Sequence, residues 1–586
     1  MTVTTDVLVV GAGPAGLTMS ALLAQYGIDA LTVTQYPSTA NSPRAHITNQ
    51  RTMEVMRDLG AEERVKDVSL PNDAMRNNVW ATSFSGTEIA RLEAWGSGQA
   101  RNHDYHNASP CTPRNVPQHI LEPVLLGHAR QLGADIWFNS KLVDIWQDDT
   151  GVTAVVRDRN TEGETTIRAR YVVGADGGRS TVAQELGFEF EGETGLGAAV
   201  NIWLEADLTA YCQHRPGVLY WMAQPGNDYW VGSGTWINVK PFTEWVLLRM
   251  YDPDEGEPDL SDEALIARAQ QTIGDPNVEV RIKAASTWQI NRVVATSYQR
   301  GRAFLAGDAA HRHAPANGLG TNTSIQDSYN LAWKLAMVLN GHADESLLET
   351  YDAERQPVGE RVVNRAWKSV QDMGVISEAL GFRPGQSSAE GWASLDELFS
   401  AADGAAQRRQ QLAEAIELQN YQFNAHGMDM GQYYDSAAVI DGSATAPDTG
   451  LDPDLFYVPS VTPGAVIPHA WVQRGTDRVS TLDLVGQGRF TLVTGIDDAA
   501  WRHAAEDVAV QLGVDLIVEQ VGVRCQNDDV LNAWTQLREV SDSGALLVRP
   551  DRHLAWRIDQ LPEDPTAALR GALQTVLGRH HVPITV

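Results

Sequence analysis

The turn at residues 11–16 constrains the fold more than any other feature. Asp6-Val-Leu-Val-Val10 is a short run of valine and leucine of the kind that forms a strand buried on both faces, and Gly11-Ala-Gly13-Pro-Ala-Gly16 follows it without a spacer. Helical character then runs from about Pro14 to Tyr26, Gly27 is placed to stop it, and Asp29 to Gln35 returns to strand. Strand, G-x-G-x-x-G and helix in this order form a dinucleotide fingerprint. The first glycine permits the tight turn, the second lets backbone approach a pyrophosphate, and the third packs helix on strand while the helix N-terminus faces the anion. Gly11, Gly13, Ala15 and Gly16 are therefore candidate cofactor contacts. The ribose-binding acid expected about 20 residues later is missing. Thr34 and Gln35 stand at that point, where a hydroxyl or an amide can bond ribose instead.

A βαβ start of this kind predicts an α/β protein with a Rossmann-like, doubly wound parallel sheet. At 586 residues the chain is too long for one core, so two or three domains are expected. The nucleotide-binding fold takes residues 1–187 and resumes at 299–380. Between them, 188–298 turns to strand runs rich in Trp, Tyr and Val, such as 217–223 and 229–237, and reads as an inserted β-sheet domain. Residues 381–440 form a helical connection containing a polar excursion near 383–404. The order strand, helix, strand, hairpin and helix within 441–586 suits a small thioredoxin-like domain, here without paired cysteines.

The formal charge of −30 makes nucleic acid and anionic membrane poor partners, and no apolar run approaches the length of a membrane span. Cys111, Cys212 and Cys525 are too far apart in sequence for a CxxC pair. Without a basic leader, a cytoplasmic setting is expected.

Two further motifs carry chemistry. In Tyr171-Val-Val-Gly-Ala-Asp176-Gly177-Gly-Arg-Ser180 a strand ends in Asp-Gly at the carboxyl edge of the sheet, where ligands bind. The second is Gly301-Arg-Ala-Phe-Leu-Ala-Gly307-Asp308-Ala-Ala-His311-Arg312-His313-Ala-Pro315-Ala-Asn317-Gly318-Leu-Gly320-Thr-Asn322. His311 and His313 mimic a metal pair, but no carboxylate or cysteine set completes a site, and no metal is expected.

Together with Pro43-Arg44-Ala-His46 and His214-Arg215-Pro-Gly-Val-Leu-Tyr220-Trp221, these motifs resemble the FAD-dependent aromatic hydroxylases, single-component flavoprotein monooxygenases, and within them the phenol-monooxygenase branch. The likeness continues into Thr462-Pro-Gly-Ala and Leu546-Leu-Val-Arg-Pro-Asp551, so it spans nearly the whole chain. It implies FAD held at its pyrophosphate by Gly11 to Gly16 and at its ribityl chain by Asp308. Arg44 and Gln118 would flank the cofactor, and Pro315, Gly318, Gly320 and Asn322 would run beside the flavin ring. Asp176 would serve both FAD and NADPH or NADH, although Ala183 replaces the basic residue that usually closes its motif. A tail of this type commonly joins subunits, which points to a homodimer or higher homo-oligomer.

The implied reaction uses NAD(P)H and dioxygen to hydroxylate a phenol, ortho to its hydroxyl, through a flavin hydroperoxide. The attack is electrophilic and favours a phenolate, yet a phenol of pKa near 10 is only about 0.1% ionised at pH 7, a deficit of roughly 4 kcal/mol. His46 stands where related enzymes carry an acid, and is the candidate catalytic base or hydrogen-bond partner. Arg312 is a candidate for favouring reduced flavin. Tyr220 and Trp221, with Pro315, are candidates for lining the substrate pocket, or for core packing. Two alternatives stand beside this reading. One is a tailoring oxygenase performing hydroxylation or Baeyer–Villiger insertion on a polyketide-type phenol. The other is a flavin-binding module without turnover.

Overall fold

The computed structural model describes residues 2–226, 234–442 and 448–579. Its first sheet is built on Thr2–Val10, which lies parallel between Glu164–Gly174 and Ala30–Val33, with Ala303–Leu305 and Asp135–Trp137 continuing the parallel array on either side. Val7, Leu8 and Val9 are wholly buried, as a strand covered on both faces requires. Helix Pro14–Gln25 packs against helices Gly320–Leu339 and Gln118–Gln131. A hairpin, Ser140–Asp148 and Gly151–Asp158, turns at Asp149 and Thr150 and adds antiparallel strands to the edge of Glu164–Gly174.

Among the described residues the second sheet has eight strands, in the order 311–312, 281–295, 190–205, 244–251, 234–240, 217–222, 77–81 and 88–93. Of the strand expected at 229–237, residues 229–233 lie outside the described residues, and Gly234–Lys240 is extended. Two strands come from well upstream: Asn77–Ala81 pairs parallel with Gly217–Met222, and Glu88–Glu93 forms the edge. Period-two alternation gives this sheet two different faces. Val79, Tyr220, Trp236 and Trp245 pack together on one face. Trp80 and Trp221 point from the other into a cluster with Ile47, Trp95, Phe423 and the helices around Ile376, Leu395 and Leu412. The stretch 383–404, expected as a polar excursion, instead contains helix Ser388–Leu398, opened by a reciprocal capping box between Ser387 and Glu390.

Residues beyond 448 carry a third sheet. Phe490–Thr494 is parallel to Leu516–Gly522 and antiparallel to Ala545–Val548, which turns back on Leu554–Ile558. Helices Ala499–Leu512 and Pro565–Val576 pack together beside it. This part is fastened to the first through buried charge. Arg549 donates to both Glu354 oxygens at 2.5 and 2.9 Å and to Asp551 at 2.5 Å, Lys334 reaches Glu354 at 2.7 Å, and Arg552 reaches Asp58 at 2.9 Å. Breaking one buried pair of this kind costs about 3–5 kcal/mol, because the other charge is left uncompensated. Among the described residues no helix is long and apolar enough to cross a membrane.

Candidate functional site

The three fingerprint glycines do two different jobs. Gly11 has φ +109°, and a Cβ there would meet the Ala175 carbonyl oxygen at 2.1 Å; one on Gly16 would meet the Gly11 oxygen at 1.9 Å. Both are needed for close packing of strand, turn and helix. A Cβ on Gly13 would come no nearer to protein than 3.9 Å, from Glu122 Oε1. Gly13 therefore leaves room for something that is not protein. The helix it precedes has no side-chain cap, so its first N–H groups are available to an anion, and this cradle fits the pyrophosphate of FAD.

Gln118, Arg44 and the buried Glu122 gather beside it. Gln118 N donates to the Arg44 carbonyl at 2.8 Å and Gln118 Nε2 to Glu122 Oε1 at 2.6 Å, while Glu122 Oε2 accepts from Ala40 N at 2.5 Å. Burial pushes the Glu122 carboxyl up, partly offset by these donors and by Arg44. Glu122 was not singled out from the sequence, although it sits one helical turn after Gln118. Thr34 is buried, with its backbone bonded to Trp137 and Ser140; Gln35 is exposed and its carbonyl accepts from Arg159.

Asp308 is exposed at the end of Ala303–Leu305, whereas Gly307 beside it is buried and donates its N–H to Asp327 at 3.0 Å. Asp327 also binds His311 Nε2 at 3.0 Å and Arg355 Nε at 2.8 Å. Burial pushes the Asp327 carboxyl up, but Arg355 and His311 outweigh it and hold it below its usual value. His311 is thus occupied by a carboxylate inside the fold, and His313 Nδ1 contacts the Ala314 carbonyl at 2.7 Å. Among the described residues no cluster of His, Cys, Asp and Glu is assembled as metal ligands would be. Pro315 is exposed, Gly318 and Gly320 half-buried.

Asn322 is wholly engaged within the protein. Its amide nitrogen donates to the carbonyls of Ile47 at 2.9 Å and Gly318 at 2.6 Å, and its oxygen accepts from Asn49 N at 3.0 Å. Gly318, at φ +66°, passes so close to Ile47 that a Cβ would meet that side chain at 2.9 Å. The segment carrying His46 is therefore stitched to the segment 318–322. Helix Gly320–Leu339 likewise begins without a side-chain cap.

Asp176 turns inward. It accepts from Ser180 Oγ at 2.5 Å, Thr181 N at 2.7 Å and Val182 N at 3.2 Å, anchoring the start of helix Thr181–Glu185. Burial raises its pKa and these bonds oppose the rise. The Asp-Gly motif nevertheless meets the third motif: Arg312 Nη1 donates to the Gly178 carbonyl, and its guanidinium lies 5.3 Å from the centre of the Phe190 ring. No ion pair of Arg312 is found among the described residues; burial pushes its pKa down, against a smaller opposing effect of the Asp308 charge.

His46 is buried, its Nδ1 has no hydrogen-bond partner among the described residues, and its backbone carbonyl accepts from Val116 N at 2.8 Å. Burial and the neighbouring His119 lower its pKa to about 3, against a smaller opposing effect of Asn115. Near neutral pH it is an uncharged imidazole. Its neighbour Ile47 belongs to the same apolar cluster as Trp221. Trp221 stacks against Trp80 with ring centres 6.3 Å apart, and Phe423 lies 6.2 Å from both. Tyr220 does not join Trp221 as a pocket wall. Strand alternation sends it to the opposite face, where its hydroxyl donates to the Arg215 carbonyl at 2.9 Å inside a core of Phe84 and Trp245. Trp80 and Phe423, absent from the sequence expectation, are the rings that lie beside Trp221.

Comparison with known proteins agrees with this geometry. Residues 4–366 match the FAD binding domain family, and residues 460–580 match the aromatic-ring hydroxylase C-terminal family. The chain is 44% identical to 2,4-dichlorophenol 6-monooxygenase of Cupriavidus pinatubonensis, over 99% of this chain and 97% of that protein. It is 40% identical to phenol 2-monooxygenase of Pseudomonas sp. (strain EST1001), over 97% of this chain and 92% of that one. A crystal structure of the flavin-dependent monooxygenase PieE, in complex with FAD and substrate, superposes with TM-score 0.95 at 42% identity, covering 98% of this chain and 99% of that one. With the glycine cradle, the exposed Asp308 and the stitched segment at Asn322 in place, the chain belongs to the FAD-dependent aromatic-ring hydroxylases.

Proposed function

We propose that this protein is a phenol hydroxylase that uses NAD(P)H and dioxygen to add one hydroxyl to a phenolic ring, ortho to the hydroxyl already there. The observation that carries this reading is the Asn322 stitch, which brings the His46–Ile47 segment and its aromatic cluster beside the loop that would flank a flavin ring. FAD, reduced by NAD(P)H, supplies the activation of dioxygen. Gly11 to Gly16 hold its pyrophosphate, Arg44 and Gln118 flank it, Asp308 bonds its ribityl chain, and Thr34 or Gln35 serves the ribose. Asp176 acts indirectly, by shaping the turn at Gly178. Arg312, a half-buried cation with no ion pair among the described residues and only partly offset by the charge of Asp308, favours negative charge on the reduced cofactor.

His46 orients the phenol and does not take its proton. Moving a proton from a phenol of pKa near 10 to an imidazole near 3 would be uphill by roughly 10 kcal/mol. A neutral imidazole can instead accept a hydrogen bond from the phenol O–H, holding the ring in place while the proton leaves by another route. Trp221, Trp80 and Phe423 supply the flat apolar wall.

The C-terminal unit is read as thioredoxin-like on its strand order, one parallel and one antiparallel neighbour about Phe490–Thr494 followed by a hairpin and a closing helix. Such a tail suits a subunit contact, and the protein is proposed to act as a homo-oligomer in the cytoplasm. The decisive experiment measures NAD(P)H oxidation against hydrogen peroxide release over a panel of phenols. True substrates accelerate oxidation with little peroxide; if no phenol accelerates it, the phenol-hydroxylase reading fails.

A further inference from the structure

Thr462-Pro-Gly464-Ala pairs with the chain just beyond Leu546-Leu-Val-Arg-Pro-Asp551. Gly464 N donates to the Leu554 carbonyl and Leu554 N to the Ala465 carbonyl, both at 2.8 Å. Tyr434 stands against both segments. Its backbone N donates to the Gly464 carbonyl at 3.0 Å, and its ring stacks on the His553 imidazole with centres 4.1 Å apart and planes at 21°. Gly464, at φ +94°, admits this approach, since a Cβ there would lie 2.1 Å from the Tyr434 carbonyl oxygen.

From Tyr434 the contacts run inward. Its hydroxyl accepts from Arg355 Nη1 at 3.0 Å, beside Gln432 Oε1, which accepts from the same nitrogen at 2.6 Å. Arg355 is wholly buried, and these two acceptors fix one edge of its guanidinium. Nε then points at Asp327 Oδ1, 2.8 Å away, and Nη2 at the Thr323 carbonyl, 3.4 Å away. Asp327 passes the constraint on through Oδ2, to Gly307 N and His311 Nε2, each at 3.0 Å. Gly307 directly precedes Asp308, and Thr323 directly follows Asn322. One guanidinium thus reaches both segments read as FAD contacts. Its N–H donors form a rigid planar fork, so turning it toward one acceptor takes it off the others.

We propose that Arg355 is a positioning residue for FAD, aimed by Tyr434, which the tail in turn holds through Gly464 and His553. Docking of the tail and binding of FAD are then coupled, each favouring the other by the same factor. The inference goes beyond the hydroxylase reading and takes from it only that Asp308 and the 318–322 loop contact FAD. Were Tyr434 a packing residue alone, loss of its hydroxyl would cost stability and leave FAD affinity unchanged.

The test titrates the full chain, stripped of FAD, with FAD and follows flavin fluorescence, beside melting temperatures, in wild type, Tyr434→Phe, His553→Leu, His553→Phe, Tyr220→Phe and Asp308→Ala. Couplings between sites are commonly about 5- to 150-fold. Tyr434→Phe is expected to weaken FAD binding by about fivefold or more, and to fold, because Gln432 still bonds Arg355 Nη1. His553→Leu should weaken FAD binding as well, and His553→Phe, which keeps a stacking ring, should restore most of the affinity. Tyr220→Phe removes a buried hydroxyl bond of like kind in the second sheet and should bind FAD as wild type does. Wild-type affinity in Tyr434→Phe overturns the coupling, as does an equal loss in Tyr220→Phe or a His553→Phe no tighter than His553→Leu. If Tyr434→Phe does not fold, the two His553 variants decide by the same comparison. Unchanged affinity in Asp308→Ala refutes the FAD contact of that residue, and the Tyr434 and His553 variants still decide the coupling.

Discussion

Arg312 Nη1 donates to the carbonyl oxygen of Gly178 at 2.6 Å, joining two motifs separated by 134 residues. The guanidinium is half-buried with no ion pair among the described residues, and the charge of nearby Asp308 only partly offsets its burial, so it remains available to an anionic partner. Arg312→Ala is expected to make the bound flavin harder to reduce, lowering its midpoint potential by about 30 mV for each 1.4 kcal/mol of lost stabilisation of the reduced form. Arg312→Lys should retain most of the potential while losing the planar fork. Redox titration of the holoenzymes checks this; an unmoved potential in Arg312→Ala would restrict the residue to fastening the Gly178 turn.

The glycines separate packing from binding. Gly16→Ala should fail to give folded protein, because its Cβ would lie 1.9 Å from the Gly11 oxygen. Gly13→Ala has space within the protein and should fold, yet lose FAD affinity, since the methyl occupies the cradle. Circular dichroism and the flavin content after gel filtration distinguish the two.

Tyr220 and Trp221 should respond oppositely. Tyr220→Phe removes one buried hydrogen bond and should cost about 1 kcal/mol of stability with little change in substrate affinity. Trp221→Ala should raise KM for aromatic substrates by about tenfold or more, through loss of the stacked wall. Denaturant unfolding beside steady-state kinetics tests the pair.

Acid should unfold the protein through its buried histidines. Burial lowers His46 and His426 to about 3 and His313 and His469 to about 4. Between those values and the unfolded value near 6.5, the unfolded chain binds more protons than the native one, so stability falls as pH falls. Asp429, raised by burial to about 7, acts in the opposite direction, being protonated in the native state first. The histidines set the net loss, at most about 2 kcal/mol each between pH 7 and 5; His119 and His553, also lowered by burial, add to it, and Asp58, Glu122 and Asp176, raised by burial like Asp429, oppose it. Urea unfolding at the two pH values should show it, and equal stability at both would contradict these shifts.

Where the chain obeys short-range rules, its structure was legible. The glycine turn, the strand before it and the helix after it follow from sterics within a few residues, and helix Ala499–Leu512 was readable from its periodicity and from Gly513. Helix Ser388–Leu398 was missed although Ser387 and Glu390 stand at capping-box spacing, because small polar residues masked it. Asn77–Ala81 carries no alternation a reader can use, since its five residues are all buried, on both faces. The orientation of Tyr220 against Trp221 depends on which side of the sheet meets the helices around Ile376 and Leu412, a long-range matter. His46 was legible as a candidate, but its neutrality depends on burial that only the folded chain supplies.

The shared charge among Glu354, Lys334, Arg549 and Asp551 bears on how such an enzyme can be re-engineered. The C-terminal portion is not an interchangeable part. Grafting in a relative's tail, or cutting the chain before residue 448, would strand Lys334 and Glu354 without Arg549 and expose a surface evolved to be dry. A successful chimera would have to inherit helix Gly320–Leu339, which carries Lys334, and helix Ser346–Asp372, which carries Glu354, from the same parent as the tail. The second sheet, which this ion cluster does not include, could be exchanged more freely.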